Sequence, residues 1–323
     1  MQRPFRFSVQ AFEATSAKEW TELARRTEDL GYATLFTTDH YFGPGEIATT
    51  SGHRPVDVAP IAATMAAAAA TERLRVGCRV TCVDYHNPVV LAKELATIDL
   101  LSDGRLEAGL GAGWIAAEYD GIGVPMDRAG VRIERLAEVV GLLKAQWSGD
   151  DVAVDGKHVR AHGFAGRPVP VQKPHPPIFI GGGSPKILRL AGQLADIVSL
   201  NFNNAAGRLG SGSVTSATLP ATLEKIDWVR AGAGERFDEI ELEVAAYFVA
   251  VQDDPSAAVE AMAARFGVTT AELLEHPHAL LGSVDEICER LQQRREQLGI
   301  SYVNIAQRNM DGFAPVVARL AGT

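Results

Sequence analysis

Little in this 323-residue chain is available for sulfur chemistry: it has three cysteines, Cys78, Cys82 and Cys288. An odd and widely split set argues against a disulfide framework and fits a reducing compartment. Cys78 and Cys82 lie four apart on an expected strand and share a face, yet nothing nearby completes a ligand set. They read as buried structural thiols, and no metal site is expected. Positive charge is also short, with 31 Lys+Arg against 40 Asp+Glu and a net charge of −9. No basic block is present to track a phosphate backbone, so nucleic acid is not an expected partner. Long apolar runs are missing as well. The longest, Pro60 to Ala70, is mostly alanine and far short of a membrane span, and the opening MQRPFRFSVQ has neither an apolar signal core nor a cleavage site. The expectation is a cytoplasmic protein with no membrane partner.

What is present is ordinary globular composition, 46% apolar and 22% charged, patterned in alternating stretches of period 2 and period 3.6. That alternation is the signature of repeated βα units around a parallel sheet. Eight strands are expected: Phe5 to Gln10, Thr34 to Asp39, Leu74 to Cys82, Arg105 to Ala112, Pro177 to Gly182, Asp196 to Asn201, Ile240 to Val251 and Tyr302 to Gln307. Helical segments lie between them. Eight βα units predict an α/β fold of the (β/α)8 TIM-barrel type, one domain over 1–323. Such a barrel uses about 250 residues, which leaves about 70 for insertions. These are placed near 148–176, a hairpin around Asp155-Gly156; near 203–216, a Gly/Ser/Asn-rich stretch expected to form a mobile lid; and near 269–282, an extra helical piece with His276 and His278.

Barrel enzymes work at the C-terminal ends of their strands, so the strand ends are the candidate site. Gln10 closes the first strand and Asp39-His40 the second. An imidazole just past a strand end can reach a ligand and titrate near neutrality, although a histidine there also serves as an ordinary hydrogen-bonding loop residue. Asp39 is expected to pin its loop through backbone N–H groups. At the end of the fourth strand, Gly109-x-Gly111-x-Gly113 fails the dinucleotide fingerprint, because Trp114 follows and the spacing is wrong. Gly111, Ala112 and Gly113 either let a backbone approach a flat ligand or simply make a tight turn. Gly181-Gly182-Gly183-Ser184-Pro185 places glycines at a strand end, a serine in cap position and proline at N1, an arrangement that receives an anion such as phosphate. Arg79, amid apolar strand residues, either points into the barrel to meet a carboxylate or marks a bulge. The strand ends offer no lysine and no convergent ligand set, which argues against a lyase built on such groups.

Three stretches together, TTDHYFGP (37–44), RLRVGCRVTCVDYHNPVVLAKELATIDLLSDGRLEAGLGAGWIAAEYDGIG (73–123) and PPIFIGGGSPKILRLAGQLAD (176–196), resemble the bacterial luciferase-like family of flavin and deazaflavin oxidoreductases, in its coenzyme F420-dependent branch. The resemblance implies a barrel whose mouth holds a three-ring cofactor, F420 or alternatively FMN, for hydride exchange with a small-molecule substrate. It implies a non-prolyl cis peptide at Cys78–Arg79 or Arg79–Val80, with Cys78, Arg79, Val80, Thr81 and Cys82 around the ring. It implies a cofactor contact for Asp39, a side-chain approach at Gly111, Ala112 and Gly113, and a phosphate cradle at Gly181, Gly182, Gly183, Ser184 and Pro185. His40 resembles the branch's active-site histidine, with Gln10 and Trp114 orienting the substrate. Sugar-phosphate-oxidising relatives carry glutamate where this chain has Trp114, which puts their acid–base pairing in question here. The family commonly forms homodimers. Two further readings accompany the F420 oxidoreductase: an FMN-dependent two-component monooxygenase, and a cofactor-binding homologue without turnover.

Overall fold

A computed structural model describes residues 3–323. Its centre is a closed barrel of eight parallel strands: β1 (Arg6–Gln10), β2 (Thr34–Thr37), β3 (Arg75–Cys78, resuming at Thr81–Cys82), β4 (Leu106–Gly111), β5 (Ile178–Gly182), β6 (Ile197–Leu200), β7 (Glu241–Ala246) and β8 (Ile300–Ala306). Each pairs with the next in parallel, and β8 returns to β1 with Arg6 opposite Tyr302. Local sequence sets the intervening helices. Asn87 accepts from the N–H groups of Val89 and Val90, with Pro88 opening helix Pro88–Leu101, and Ser283 and Glu286 form a capping box for helix Val284–Leu298. Outward strand residues such as Phe7, Val9, Val76, Leu106 and Leu110 pack under the helices in one continuous apolar core.

Inward positions recur every second residue, and here most are polar. Near the N-terminal end, Glu107 accepts from Arg6 (2.7 Å), Arg75 (2.9 Å) and the Tyr302 hydroxyl (3.0 Å). Burial drives Glu107 upward, but the Arg6 and Arg75 charges outweigh it and hold its pKa below the ordinary range. Above that plug lies an aromatic layer of Phe36, Phe179 and Tyr302. The upper layer is the hydrogen-bonded set described below.

The non-prolyl cis peptide lies at Arg79–Val80, one of the two expected positions, and interrupts the third strand. Several other details differ from the sequence expectations. The expected seventh strand, 240–251, is two strands: β7 ends at Ala246, and Phe248–Val251 leaves the barrel to pair in parallel with Ala279–Gly282. In the 269–282 insertion the helix covers only Thr270–Glu275, so His276 and His278 lie beyond it, in the approach to a strand. The 148–176 insertion contains an antiparallel hairpin, Asp151–Asp155 with Arg160–Ala165. The 203–216 insertion carries a short helix, Ser211–Thr215, and Leu209 N–H donates to the Ser51 carbonyl (2.8 Å). Among the described residues no helix is long and apolar enough to cross a membrane. No group of three or more His, Cys, Asp or Glu there is placed to hold a metal ion.

Candidate active site

The barrel mouth is built on the inward residues that end each strand. Gln10 is almost fully buried; its Nε2 donates to the Arg79 carbonyl (3.0 Å) and its Oε1 accepts from Asn304 (3.2 Å). Gln10 thus holds the backbone of β3 rather than extending freely into the mouth. Asp39 does not pin its own loop as expected. Its Oδ2 reaches across to β3, accepting from the Cys82 N–H and from His86 Nε2, each at 2.8 Å. Burial alone would lower the His86 pKa, but the bond to Asp39 raises it.

Arg79 combines both alternatives left open by the sequence: its backbone forms the break in β3, and its side chain crosses the barrel. Nε and Nη2 donate to the two carboxylate oxygens of Glu243 on β7 (2.9 and 3.1 Å), and Nη2 also donates to Ser199 (2.8 Å) and Asn201 (3.0 Å). Burial opposes the guanidinium charge, but Glu243 more than offsets it, and the pKa lies above the ordinary value. Cys78, Val80 and Thr81 flank this residue. Burial raises both thiols, that of Cys82 to about 12, so they stay protonated and inert near neutrality.

On the opposite side, His40 Nδ1 lies 2.7 Å from Glu118 Oε2. The other carboxylate oxygen accepts from the Tyr41 N–H at 2.7 Å, and the Glu118 side chain is wholly buried. An ionised carboxylate offers only lone pairs, so Nδ1 carries the proton and Nε2 is left as an acceptor. His53 packs on His40 with ring centroids 4.3 Å apart; burial first, and His40 second, pull its pKa down to about 3, so it is neutral. Trp114 stands edge-on to both rings, and Phe12 and Phe42 complete an uncharged wall. The nearby Arg54 is stacked on Phe12 and paired with Glu13.

The glycine loops are occupied by protein. A Cβ on Gly109 would stand 1.8 Å from the Cys78 carbonyl, and one on Gly111 2.5 Å from Val80 Cγ2. Gly113 adopts φ +68° beside Tyr119. Gly109 and Gly111 are crowded by β3 and Gly113, on the far side of Ala112, by Tyr119, a packing reason that neither expected alternative named; only Gly113 has the positive φ of a tight turn. At the β5 end, Cβ atoms on Gly181, Gly182 and Gly183 would meet Asn201, Ile187 and the Phe202 carbonyl. Ser184 is the N-cap of helix Pro185–Leu194, but its hydroxyl accepts no bond from that helix. The first-turn N–H groups therefore lack a side-chain cap.

The residues fit a ring cofactor with a phosphate. Thr38 Oγ1, Asp39 Oδ1 and Thr81 Oγ1 are buried polar atoms without a protein partner, clustered on the β2 and β3 ends. Unmatched buried polar atoms are rare, and a heteroatom-bearing ring supplies partners for them. The uncapped helix at Ser184 offers the corresponding place for an anion. Sequence reasoning missed Glu118, Glu243, His53 and Asn201. For Glu118 the available signal was its spacing, four residues after Trp114: it lies on helix Ala116–Gly121 and its carboxylate reaches His40.

Residues 4–301 match the family model described as luciferase-like monooxygenase. An F420-dependent glucose-6-phosphate dehydrogenase of Nocardia farcinica is 30% identical over 87% of this chain and 77% of its own length. An FMNH2-dependent dimethylsulfone monooxygenase of Pseudomonas putida is 34% identical over 43% of this chain, a match that spans only 38% of that relative. Among solved structures, the coenzyme F420-dependent tetrahydromethanopterin reductase of Methanopyrus kandleri superposes with a TM-score of 0.73 at 18% identity, covering 98% of this chain and 99% of that one. That last likeness concerns the fold alone.

Proposed function

The chain belongs to the luciferase-like monooxygenase family, and from that premise we propose that it is a coenzyme F420-dependent oxidoreductase acting on a small, neutral organic substrate that carries a hydroxyl or carbonyl group. When bound, the deazaflavin would exchange a hydride with the substrate carbon. The chain's own residues do the rest. The observation that carries this reading is the 2.7 Å pair between His40 Nδ1 and Glu118. It leaves His40 Nε2 as the group that takes up the hydroxyl proton during oxidation, or returns it during reduction. Glu118, fixed by the Tyr41 N–H, orients the imidazole and stabilises the imidazolium that forms.

Substrate class follows from the wall around His40. Phe12, Phe42, neutral His53 and Trp114 supply uncharged, largely apolar surface, and Arg54 at its edge is paired with Glu13. A charged sugar phosphate finds no counter-charge there, whereas a neutral aromatic or aliphatic alcohol or ketone does not need one. Thr38, Asp39 and Thr81 would meet the ring's polar edge, and Ser184 with the following turn the phosphate. The longer alignment with an F420-dependent relative supports the deazaflavin over FMN.

Fluorescence titration of the purified protein with F420 and with FMN tests the proposal. Micromolar F420 binding and weaker FMN binding are expected. FMN binding without F420 binding would overturn it in favour of the two-component monooxygenase, which oxygen uptake with FMNH2 would then identify.

A further inference from the structure

Lys225, on helix Leu219–Ala233, is 2% exposed, and its ammonium makes one hydrogen bond, to the Asn201 carbonyl at 2.6 Å. Asn201 in turn donates its N–H to the Gly182 carbonyl (2.8 Å), and the neighbouring Phe202 carbonyl packs directly against Gly183. The ammonium is thus two hydrogen bonds from the Gly181–Gly183 corner. A buried charge ordinarily has an opposite charge beside it, and none faces this one. The titratable groups around it are His276 and His278, both held neutral mainly by burial, with Arg294 beyond His276 and Arg79 beyond His278. Lys186, the cation nearest the corner in sequence, is about half exposed and already committed to Glu134 (3.1 Å) and the Gly130 carbonyl (3.1 Å). Two independent sources of unmatched positive potential therefore meet at one place: the uncapped first turn after Ser184 and the buried ammonium of Lys225.

We infer that Lys225 is the counter-charge for the phosphate of the cofactor proposed above, acting through the protein from behind the triglycine corner rather than by touching the phosphate. The inference rests on the cofactor reading but concerns a different quantity, the preference for phosphate-bearing over phosphate-free forms of the same ring. A unit charge acting on an anion over several ångströms of partly buried protein is worth roughly tenfold or more in affinity. The ammonium, lowered by burial to about 8, loses its charge as pH rises from 7 to 9, whereas the phosphate stays fully ionised over that range. The phosphate preference therefore shrinks toward pH 9.

The test compares wild type, Lys225→Met and Lys225→Arg by fluorescence titration with F420 and its phosphate-free deazariboflavin chromophore, and with FMN and riboflavin. Thermal melting verifies the fold of each variant. Lys225→Met is expected to weaken the phosphate-bearing ligands by tenfold or more and the phosphate-free ones by less than about twofold. Lys225→Arg is expected to keep the preference at pH 7 and, unlike wild type, still to keep it at pH 9. Equal losses for both ligand forms, or no loss, would overturn the inference while leaving the cofactor reading intact. If wild type binds none of the four ligands, the cofactor reading fails instead. Inorganic phosphate then decides Lys225: greater thermal protection of wild type than of Lys225→Met supports the counter-charge, and equal protection refutes it. Should Lys225→Met not fold, Lys225→Gln takes its place.

Discussion

Replacing Glu118 by glutamine leaves shape almost untouched and reverses the proton inventory of His40. The Tyr41 N–H must still find an acceptor at the position of Glu118 Oε1, 2.7 Å away. The amide oxygen of the substituted side chain is therefore held there, and its NH2 group faces His40 Nδ1 across the former 2.7 Å contact. A donor in that place turns Nδ1 into an acceptor and moves the ring proton to Nε2, the atom that must be free to take a proton from substrate. General acid–base catalysis contributes about a hundredfold to ten-thousandfold, so turnover in the oxidative direction should fall by that range, about 3–5 kcal/mol in barrier height. Binding of cofactor should be unchanged within about twofold, because Glu118 is bonded to His40 and Tyr41 rather than to the ring edge set. The tautomer can be read without any substrate: nitrogen-15 NMR of histidine-labelled protein distinguishes protonated Nδ1 from protonated Nε2. A Glu118→Gln protein whose His40 still carries its proton on Nδ1, or one that turns over an identified substrate at the wild-type rate, would refute the reasoning.

Three other perturbations have directions fixed by the structure. Glu243→Gln strips the counter-charge from the buried Arg79 guanidinium and should cost about 3–5 kcal/mol in urea unfolding, while the Arg79→Met/Glu243→Met double variant should recover most of it; a double variant as unstable as the single one would count against the ion-pair account. His276 is neutral in the fold, with a pKa of about 4 against 6.5 unfolded. Its proton binds on unfolding, so stability present above pH 6.5 declines as pH falls toward 4, by about 1.4 kcal/mol per pH unit. His276→Gln should flatten that slope by one proton in denaturation series at pH 7, 6 and 5. Gly109→Ala drives a methyl group into the Cys78 carbonyl and should destabilise by more than about 2 kcal/mol, whereas Gly141→Ala, with open space around an exposed helical position, should stabilise by about 0.5–1 kcal/mol. Thermal melts of the pair would expose an error in either sign.

The barrel was legible because its βα alternation is repeated eight times, and repetition overrides local ambiguity at any one element. The run 240–251 hid its break for the opposite reason: both halves have the same strand composition, and nothing in periodicity says that Phe248–Val251 changes sheet. Arg79 was visible as an anomaly, but its partner Glu243 lies 164 residues away on the far side of the barrel, a separation that pattern reading does not bridge. Glu118 sat in plain view on a short helix, where a carboxylate ordinarily faces water; only the tertiary approach of His40 gives it a role. The glycines ending β4 read in the sequence as a ligand approach or a tight turn, whereas Gly109 and Gly111 are crowded by Cys78 and Val80 of the neighbouring strand, which local spacing does not reveal.

Tyr247 occupies the single residue between β7 and the strand that exits toward Ala279–Gly282. Its hydroxyl meets Asn201 at 3.1 Å, and its ring lies flat on His278 at 5.3 Å. This residue is consequently the knuckle between a rigid staves-and-hoop core and an appended ribbon. Remodelling of the appended part by insertion, deletion or exchange would be felt first in the tilt of one phenol, and through Asn201 by the guanidinium stretched across the rim.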